Sequence, residues 1–263
     1  MAARGSIVGG SSVRIAGQKG KWAVQRGEYI GWVFLPLLQG FIRHLPSRCA
    51  VCHAWPAQPV CEACVDAFAQ PHPRCRTCAL QVLAGIQQCG ACTVSAPPLD
   101  ACLSALTYGY PWSTLIADFK FHQQPGWARS FAVLLRSAPW VEPALEAADW
   151  LIPMPLSAQR LRERGYNQAH ELAKALEPAK VVHRVLLRTV DTAPQRTLPR
   201  AERLRSLEHA FTVDPLQYPA VRGKRVVVLD DVMTTGASLH AAARVLRAAG
   251  AAHITGLVLA RTE

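Results

Sequence analysis

Two adjacent aspartates, Asp230 and Asp231, follow four apolar residues in the segment VVVLDDVMTTGAS, residues 226–238. Carboxylates at the end of a buried strand need partners, because an unpaired charge is costly to bury. The next residues are small or carry hydroxyl groups, and a turn with converging N–H groups that opens a helix is a phosphate site. We therefore predict that the aspartates accept hydrogen bonds from ribose hydroxyls while the turn holds a 5-phosphate. The alternative is a strand that ends in exposed aspartates beside a capped helix. The predicted ligand-binding residues are Asp230, Asp231, Val232, Met233, Thr234, Thr235, Gly236, Ala237 and Ser238.

Eight of the nine cysteines occur in four CxxC pairs. A CxxC turn directs two thiolates at one point, and two such turns complete a tetrahedral zinc site. We predict structural zinc, as one or two ions, and the alternative is a set of redox-active dithiols or disulfides. Consecutive pairs or a cross-braced arrangement would both satisfy the spacing. The predicted metal ligands are Cys49, Cys52, Cys61, Cys64, Cys75, Cys78, Cys89 and Cys92.

The composition is that of a globular, basic protein. Of the 263 residues, 50% are hydrophobic, and 29 Lys and Arg against 18 Asp and Glu give a formal charge of +11. This excess favours anionic partners such as phosphates or nucleic acid, although a solvated basic surface would have the same composition. The apolar run of residues 30–42 is too short to span a bilayer, so we predict no membrane span. Paired thiols available for metal indicate a reducing, cytoplasmic setting.

Four segments differ in composition. Residues 1–27 are predicted to be disordered, residues 28–46 to form an apolar strap or helix, and residues 47–98 to form the cysteine-rich zinc module. From residue 99 to residue 263 strand and helix patterns alternate, which predicts an α/β fold with a mainly parallel sheet flanked by helices. Strands are predicted near 103–108, 150–153, 181–187, 225–229 and 254–260, and helices near 113–119, 127–137, 158–162, 168–176 and 237–249.

These motifs also carry a family resemblance. VVVLDDVMTTGAS resembles the phosphoribosyl pyrophosphate (PRPP) signature of type I phosphoribosyltransferases. The wider chain resembles the ComF family, competence-associated proteins with a zinc-ribbon module ahead of a phosphoribosyltransferase-like domain. The matching stretches are the CxxC pairs, DFKFH around Lys120, IPMPLSAQRLRERGYNQAHELAKAL and RTVDTAPQRTLPRAERLRSLEHAF.

The resemblance implies roles for particular residues. Asp230 and Asp231 would be the catalytic pair, and magnesium would accompany PRPP. One loop after the strand at residues 150–153 would bind pyrophosphate, and residues 188–209 would form a mobile loop that closes over PRPP. The residues implied in these two loops are Arg160, Arg164, Gly165, Tyr166, Asn167, Gln195, Arg200 and Arg203.

Three functions are compatible with these patterns. The first is a ComF-like PRPP-binding protein that assists DNA uptake or utilisation, with single-stranded DNA and competence or DNA-processing proteins as partners. The second is an active phosphoribosyltransferase of small-molecule metabolism that displaces pyrophosphate from PRPP. The third is a non-catalytic interaction scaffold. We favour the first and leave turnover open.

Overall fold

The described residues fold around a parallel sheet whose central strands are largely apolar. The computed structural model describes residues 47–189 and 210–263, so the predicted segments 1–27 and 28–46 lie outside the described residues. The main sheet has the strand order β1–β6–β5–β2, and every pairing within it is parallel. The fold class predicted from the sequence is confirmed. In chain order the strands are β1 (Ala101–Thr107), β2 (Trp150–Pro153), β3 (Leu186–Arg188), β4 (Phe211–Val213), β5 (Arg225–Met233) and β6 (His253–Arg261).

Helices cover both faces of this sheet, as a parallel sheet requires. Since successive side chains of a strand point to opposite faces, Val226 and Val228 of β5 pack in one core and Val227 and Leu229 in the other. The first core contains α9, and the second contains α3, α4, α5 and α7. In chain order the helices are α1 (Glu62–Phe68), α2 (Gly90–Val94), α3 (Trp112–Phe121), α4 (Trp127–Ser137), α5 (Val141–Ala147), α6 (Ala158–Arg164), α7 (Gln168–Leu176), α8 (Tyr218–Val221) and α9 (Ala237–Ala248).

One predicted strand has a different form in the structure. The sequence predicts a continuous strand over residues 181–187, but only Val181 bridges to β2, and the chain then leaves the sheet. Strand β3 pairs antiparallel with β4 in a separate two-stranded sheet. The apolar run predicted the strand but could not reveal its partner, because β3 and β4 are separated by residues 190–209, which lie outside the described residues.

The cysteine region packs directly against the rest of the fold, and the described residues from 47 onward belong to one compact unit. Its first half contributes Val51, Val60 and Val65 to the edge of the core that holds α3 and α4. Its second half places Cys75, Cys78 and Cys92 inside the core that holds α9. No helix among the described residues is long and apolar enough to cross a membrane.

Candidate functional site

The two aspartates lie near the carboxyl end of β5, where parallel sheets bind their ligands. Strand β5 continues through them to Met233, four residues beyond the predicted end at residue 229. Asp231 is 7% exposed, and its Oδ1 lies 2.9 Å from Nζ of Lys120. Burial and the neighbouring Asp231 charge raise the pKa of Asp230 to about 7, although Lys120 opposes the rise. Asp230 is therefore only partly ionised near neutral pH.

Lys120 is a site residue that the sequence reasoning did not identify. It lies in the last turn of α3 between two phenylalanines, and its side chain is 18% exposed. The available signal was its position between apolar residues, which indicates a partly buried lysine, and a buried lysine usually has an acidic partner. Its ammonium group pairs with Asp231 and brings positive charge to the edge of the sheet.

The predicted phosphate loop consists of Thr234, Thr235 and Gly236, followed directly by helix α9. Gly236 precedes the helix with φ of 79°, a left-handed conformation that glycine adopts without strain. A Cβ atom at this position would lie 2.4 Å from Cε of Met233 and 2.8 Å from Nε2 of His240. The loop therefore requires glycine for both its conformation and its space. The two threonines are exposed, and the N-terminus of a twelve-residue helix lies behind them.

A cleft of about 180 Å³ lies over the aspartates. Its walls combine the end of β5, the start of α9, and helices α6 and α7 that follow β2. Four cationic side chains face two carboxylates there, which gives the cleft an excess of positive charge. Such a surface suits a ligand with more than one anionic group. The charged lining residues are Lys120, Arg160, Arg164, Arg188, Asp230 and Asp231.

Local structure positions the basic wall of the cleft. Ser157 caps α6 by accepting from the backbone N–H of Arg160 at 3.3 Å. Arg164 donates to Oε1 of Gln168 at 2.9 Å and lies over the ring of Phe121 at 5.0 Å. Partial burial lowers the pKa of Arg164 from its ordinary high value. The protein therefore holds the guanidinium group of Arg164 at the cleft wall, and the Ser157 cap fixes the backbone from which Arg160 reaches the same wall.

The structure brings together many, though not all, of the predicted site residues. Asn167 lines the cleft and caps α7, with its amide donating to the carbonyl of Met154 at 3.0 Å. Tyr166 instead packs inward and donates its hydroxyl to the carbonyl of Phe119, and Gly165 ends helix α6. The predicted mobile-loop residues Gln195, Arg200 and Arg203 lie outside the described residues.

The eight paired cysteines form two separate clusters, which we name the first and second cysteine clusters. Within each cluster the ligand atoms all lie within 4.8 Å of one another, which fits a single tetrahedral metal ion. The pairing is consecutive, so the structure decides between the two arrangements that the spacing allows. The first cluster is Cys49, Cys52, Cys61 and Cys64, and the second is Cys75, Cys78, Cys89 and Cys92.

Thiol acidity differs within each cluster: one buried thiol has a lowered pKa, and other thiols have raised pKa values. Burial opposes ionisation of Cys49 and Cys75, but hydrogen bonds from neighbouring groups outweigh it and lower the pKa of each thiol to about 6. The buried partner Cys64 has its pKa raised to about 12, chiefly by burial. A cation among four such sulfurs would favour the thiolate form of all of them.

Comparison with known proteins agrees with this architecture. A family model described as the phosphoribosyl transferase domain matches residues 162–262. The DNA utilization protein YhgH of Salmonella typhimurium is 30% identical over 83% of this chain and 98% of its own length. Competence protein F of Haemophilus influenzae is 32% identical over 77% of this chain and 90% of its own length.

A solved structure, the glutamine PRPP amidotransferase of B. subtilis, aligns with 54% of this chain and 30% of its own, at 18% identity and a TM-score of 0.34. At this identity and TM-score the likeness supports no conclusion about this chain, whose fold is defined by its own strand pairing. The two sequence relatives extend over most of this chain, beyond the residues matched by the domain model. On this basis the chain belongs to the ComF family.

Proposed function

We propose that this protein binds PRPP, or another ribose 5-phosphate ligand, and assists the uptake or utilisation of DNA. The observation that carries the proposal is the cleft itself. A carboxylate pair, Ser238 in the first turn of α9 and four cationic side chains line one volume of about 180 Å³, and the glycine-containing turn directly precedes that helix. A phosphorylated sugar would satisfy both kinds of group, because its hydroxyls donate to carboxylates and its phosphate accepts from cationic side chains.

The chemistry of each wall supports an orientation for the ligand. The carboxylates of Asp230 and Asp231 would accept hydrogen bonds from the 2- and 3-hydroxyls of the ribose. The backbone and hydroxyl groups of residues 234–238 would hold the 5-phosphate, aided by the helix dipole. Arg160 and Arg164 would then bind the pyrophosphate group, because a guanidinium group matches phosphate oxygens in geometry as well as charge.

Lys120 would have two functions in such a site. In the ligand-free structure its ammonium group lies 2.9 Å from Asp231 and neutralises part of the carboxylate charge. When the ribose hydroxyls reach Asp231, the same ammonium group could also contact a ligand oxygen. The carboxylate oxygens around the cleft are of the type that magnesium prefers, and magnesium would neutralise the charge of a bound pyrophosphate.

For the two cysteine clusters we propose structural zinc. Four sulfurs per cluster fit the tetrahedral preference of this ion, and a segment with several prolines and short helices gains much of its stability from such a metal. The exposed Cys52 and half-buried Cys89 leave each site accessible from one side for metal entry.

The DNA role rests on family membership and charge. The relatives are named for competence and for DNA utilization, and this chain has a formal charge of +11. We infer that single-stranded DNA and DNA-processing proteins of the cytoplasm are its partners. Binding to single-stranded DNA should weaken with salt, with a slope of about −0.7 per phosphate contact. A salt-independent or absent interaction would remove DNA from the proposal.

Calorimetry with PRPP and magnesium tests the ligand. We expect the wild type to bind, and the Asp230→Asn/Asp231→Asn double variant to bind at least about 30-fold more weakly, because charged hydrogen bonds are lost. Asp149→Asn is a matched control, since Asp149 accepts from the backbone N–H of Arg225 at the amino-terminal end of β5, the end opposite to the aspartate pair. Equal affinity in the double variant and the wild type would refute the assignment.

A further inference from the structure

A buried arginine near the C-terminus contacts both the phosphate loop and the second cysteine cluster. Arg261 is the last residue of β6 and is 8% exposed. Its Nε donates to the carbonyl of Cys78 at 3.0 Å. Its Nη1 donates to the carbonyls of Met233, at 3.2 Å, and Thr234. One guanidinium group therefore joins a cysteine ligand of the second cluster to the start of the phosphate loop.

The contacts with the loop determine where its N–H groups point. In a trans peptide the carbonyl and the following N–H point in opposite directions. When the carbonyls of Met233 and Thr234 point toward Arg261, the N–H groups of Thr234 and Thr235 must point away from it. Both threonines are on the exposed side of the loop. Arg261 thus orients the peptide that carries the N–H of Thr235, and it shares the carbonyl of Met233 with the backbone N–H of Thr262, which donates to that carbonyl at 3.0 Å.

A second set of contacts joins the same two regions. The thiol of Cys102 lies 3.7 Å from the sulfur of Met233, the residue before the loop. The backbone N–H of Cys102 donates at 2.7 Å to the carbonyl of Arg76, which lies inside the CxxC turn of Cys75 and Cys78. The turn that would wrap the metal therefore contacts the loop region through both a charged side chain and the core.

We propose that Arg261 is a positioning residue for the ribose 5-phosphate site, and that through it the affinity of the loop depends on the metal state of the second cysteine cluster. The carbonyl of Cys78 belongs to a metal-binding turn, so loss of the metal frees one of the acceptors that hold Arg261. The first cluster has no such role. This inference rests on the proposed function, because it concerns the phosphate end of the same site.

The test is calorimetry of the full chain with two separate ligands, ribose 5-phosphate and magnesium pyrophosphate. Arg261→Gln should weaken ribose 5-phosphate binding by about tenfold or more, the loss expected for charge-assisted hydrogen bonds. Pyrophosphate binding, which would use the opposite wall, should stay within about twofold. Arg247→Gln is the matched control, since Arg247 also donates to two backbone carbonyls, those of Ala251 and Ala252, but at the far end of β6.

The cysteines provide the second arm of the test. Cys89→Ser in the second cluster should weaken ribose 5-phosphate binding, and Cys52→Ser in the first should not, with zinc content measured for both variants. In the Arg261→Gln background, Cys89→Ser should add little further loss, because the two changes break one connection. If Arg261→Gln aggregates, Arg261→Lys keeps the charge with fewer donors and should show the same selective loss.

The outcomes separate this inference from the proposed function. Wild-type protein that binds neither ligand would refute the proposed function and this inference with it. Wild-type protein that binds both, with an Arg261→Gln variant that binds ribose 5-phosphate equally well, would refute the inference alone. An Arg261→Gln variant that loses both ligands in proportion would also refute it, since that pattern indicates a general loss of structure.

Discussion

The first and second cysteine clusters have the same ligand pattern but different surroundings. Cys49 and Cys75, the first ligand of each, are both fully buried. Around Cys49 the chain meets the fold through three partly buried valines and a hydrogen bond from Trp112 to the carbonyl of Phe68 at 2.8 Å. Around Cys75 the cysteines themselves belong to the core beneath α9. The same four-cysteine motif therefore lies at the edge of a core in the first cluster and within a core in the second.

The carboxylate pair shows the same division between the two faces of the sheet. Asp230 follows the alternation of Val226 and Val228 and so lies on the face of α9 and the second cluster. Asp231 lies on the other face, where Lys120 of α3 reaches it. The division is not complete, because the charge of Lys120 also opposes the rise in the pKa of Asp230.

The largest expected effect comes from removing one buried ligand of each cluster. Cys75→Ser should lower the free energy of unfolding of the whole unit by about 5 kcal/mol or more, because Cys75 lies in the core and the proposed metal would stabilise that core. Cys49→Ser should leave the sheet folded and loosen only residues 47–69. Thermal unfolding combined with hydrogen exchange distinguishes the two. Equal losses of thermal stability in both variants would contradict the contrast.

The next effect concerns the loop that follows Met233. Gly236→Ala combines a left-handed backbone with a Cβ clash against Met233 and His240, so we expect a loss of about 2–4 kcal/mol in the free energy of unfolding. Gly223→Ala is the control, since Gly223 has φ of 76° but no atom within 4 Å of an added Cβ. In this variant the free energy of unfolding should fall by only about 1 kcal/mol, the cost of a left-handed backbone at alanine. Urea denaturation measures both, and similar losses would show that the loop is not tightly packed.

A smaller effect, of opposite sign, is expected at Asp230. Its folded pKa of about 7 lies above the ordinary unfolded value of about 4, so the native state keeps a proton that the unfolded chain has lost. The contribution of Asp230 to stability should therefore fall as pH rises from about 4 to about 7 and then level off, while buried His240, whose pKa is lowered to about 4, contributes in the opposite direction over part of this range.

Asp230→Asn should remove most of that fall and stabilise the ligand-free protein by about 1–3 kcal/mol at pH 8, while it weakens ligand binding. Denaturant titrations at pH 5 and pH 8 measure this change. If the variant is less stable than the wild type at pH 8, the folded protein does not disfavour the charged form of Asp230, and the environment assigned to it is wrong.

The smallest effect tests the attachment of the first cluster. Trp112→Phe removes the hydrogen bond to the carbonyl of Phe68 but keeps most of the buried ring, so we expect a loss of about 1 kcal/mol. Because the acceptor of this hydrogen bond belongs to Phe68 of α1, faster hydrogen exchange should appear in α1 and not in β5 or β6. Faster exchange in the central strands would mean that the first cluster supports the domain core as much as the second cluster does.

Much of the fold could be predicted from sequence pattern. Helices α4 and α7 have the bounds that their apolar periodicity predicts, and β2 has its predicted bounds as well. Helix α5 was not predicted, because it contains Pro143 and follows Trp140, whose φ of 69° no local pattern indicates. The extension of β5 beyond residue 229 was also not predicted, since two aspartates are poor strand residues.

The site was predictable where its residues are neighbours in sequence. Asp230, Asp231 and the loop to Ser238 occupy one segment, and α6 follows β2 directly. Lys120 and Arg261 were missed because their partners are distant along the chain: Arg261 contacts Cys78 across 183 residues. Contacts of that kind depend on the sheet order, which the sequence pattern does not specify.

Hydrogen exchange of the wild type with and without PRPP and magnesium tests the account most directly. We predict that the ligand slows exchange in residues 230–240, and also in residues 75–92, while residues 47–69 exchange as before. This result would show that the carboxylate pair and its loop bind the ligand and that the second cluster responds with them. Unchanged exchange at residues 230–240 in the presence of saturating PRPP would contradict the central claim.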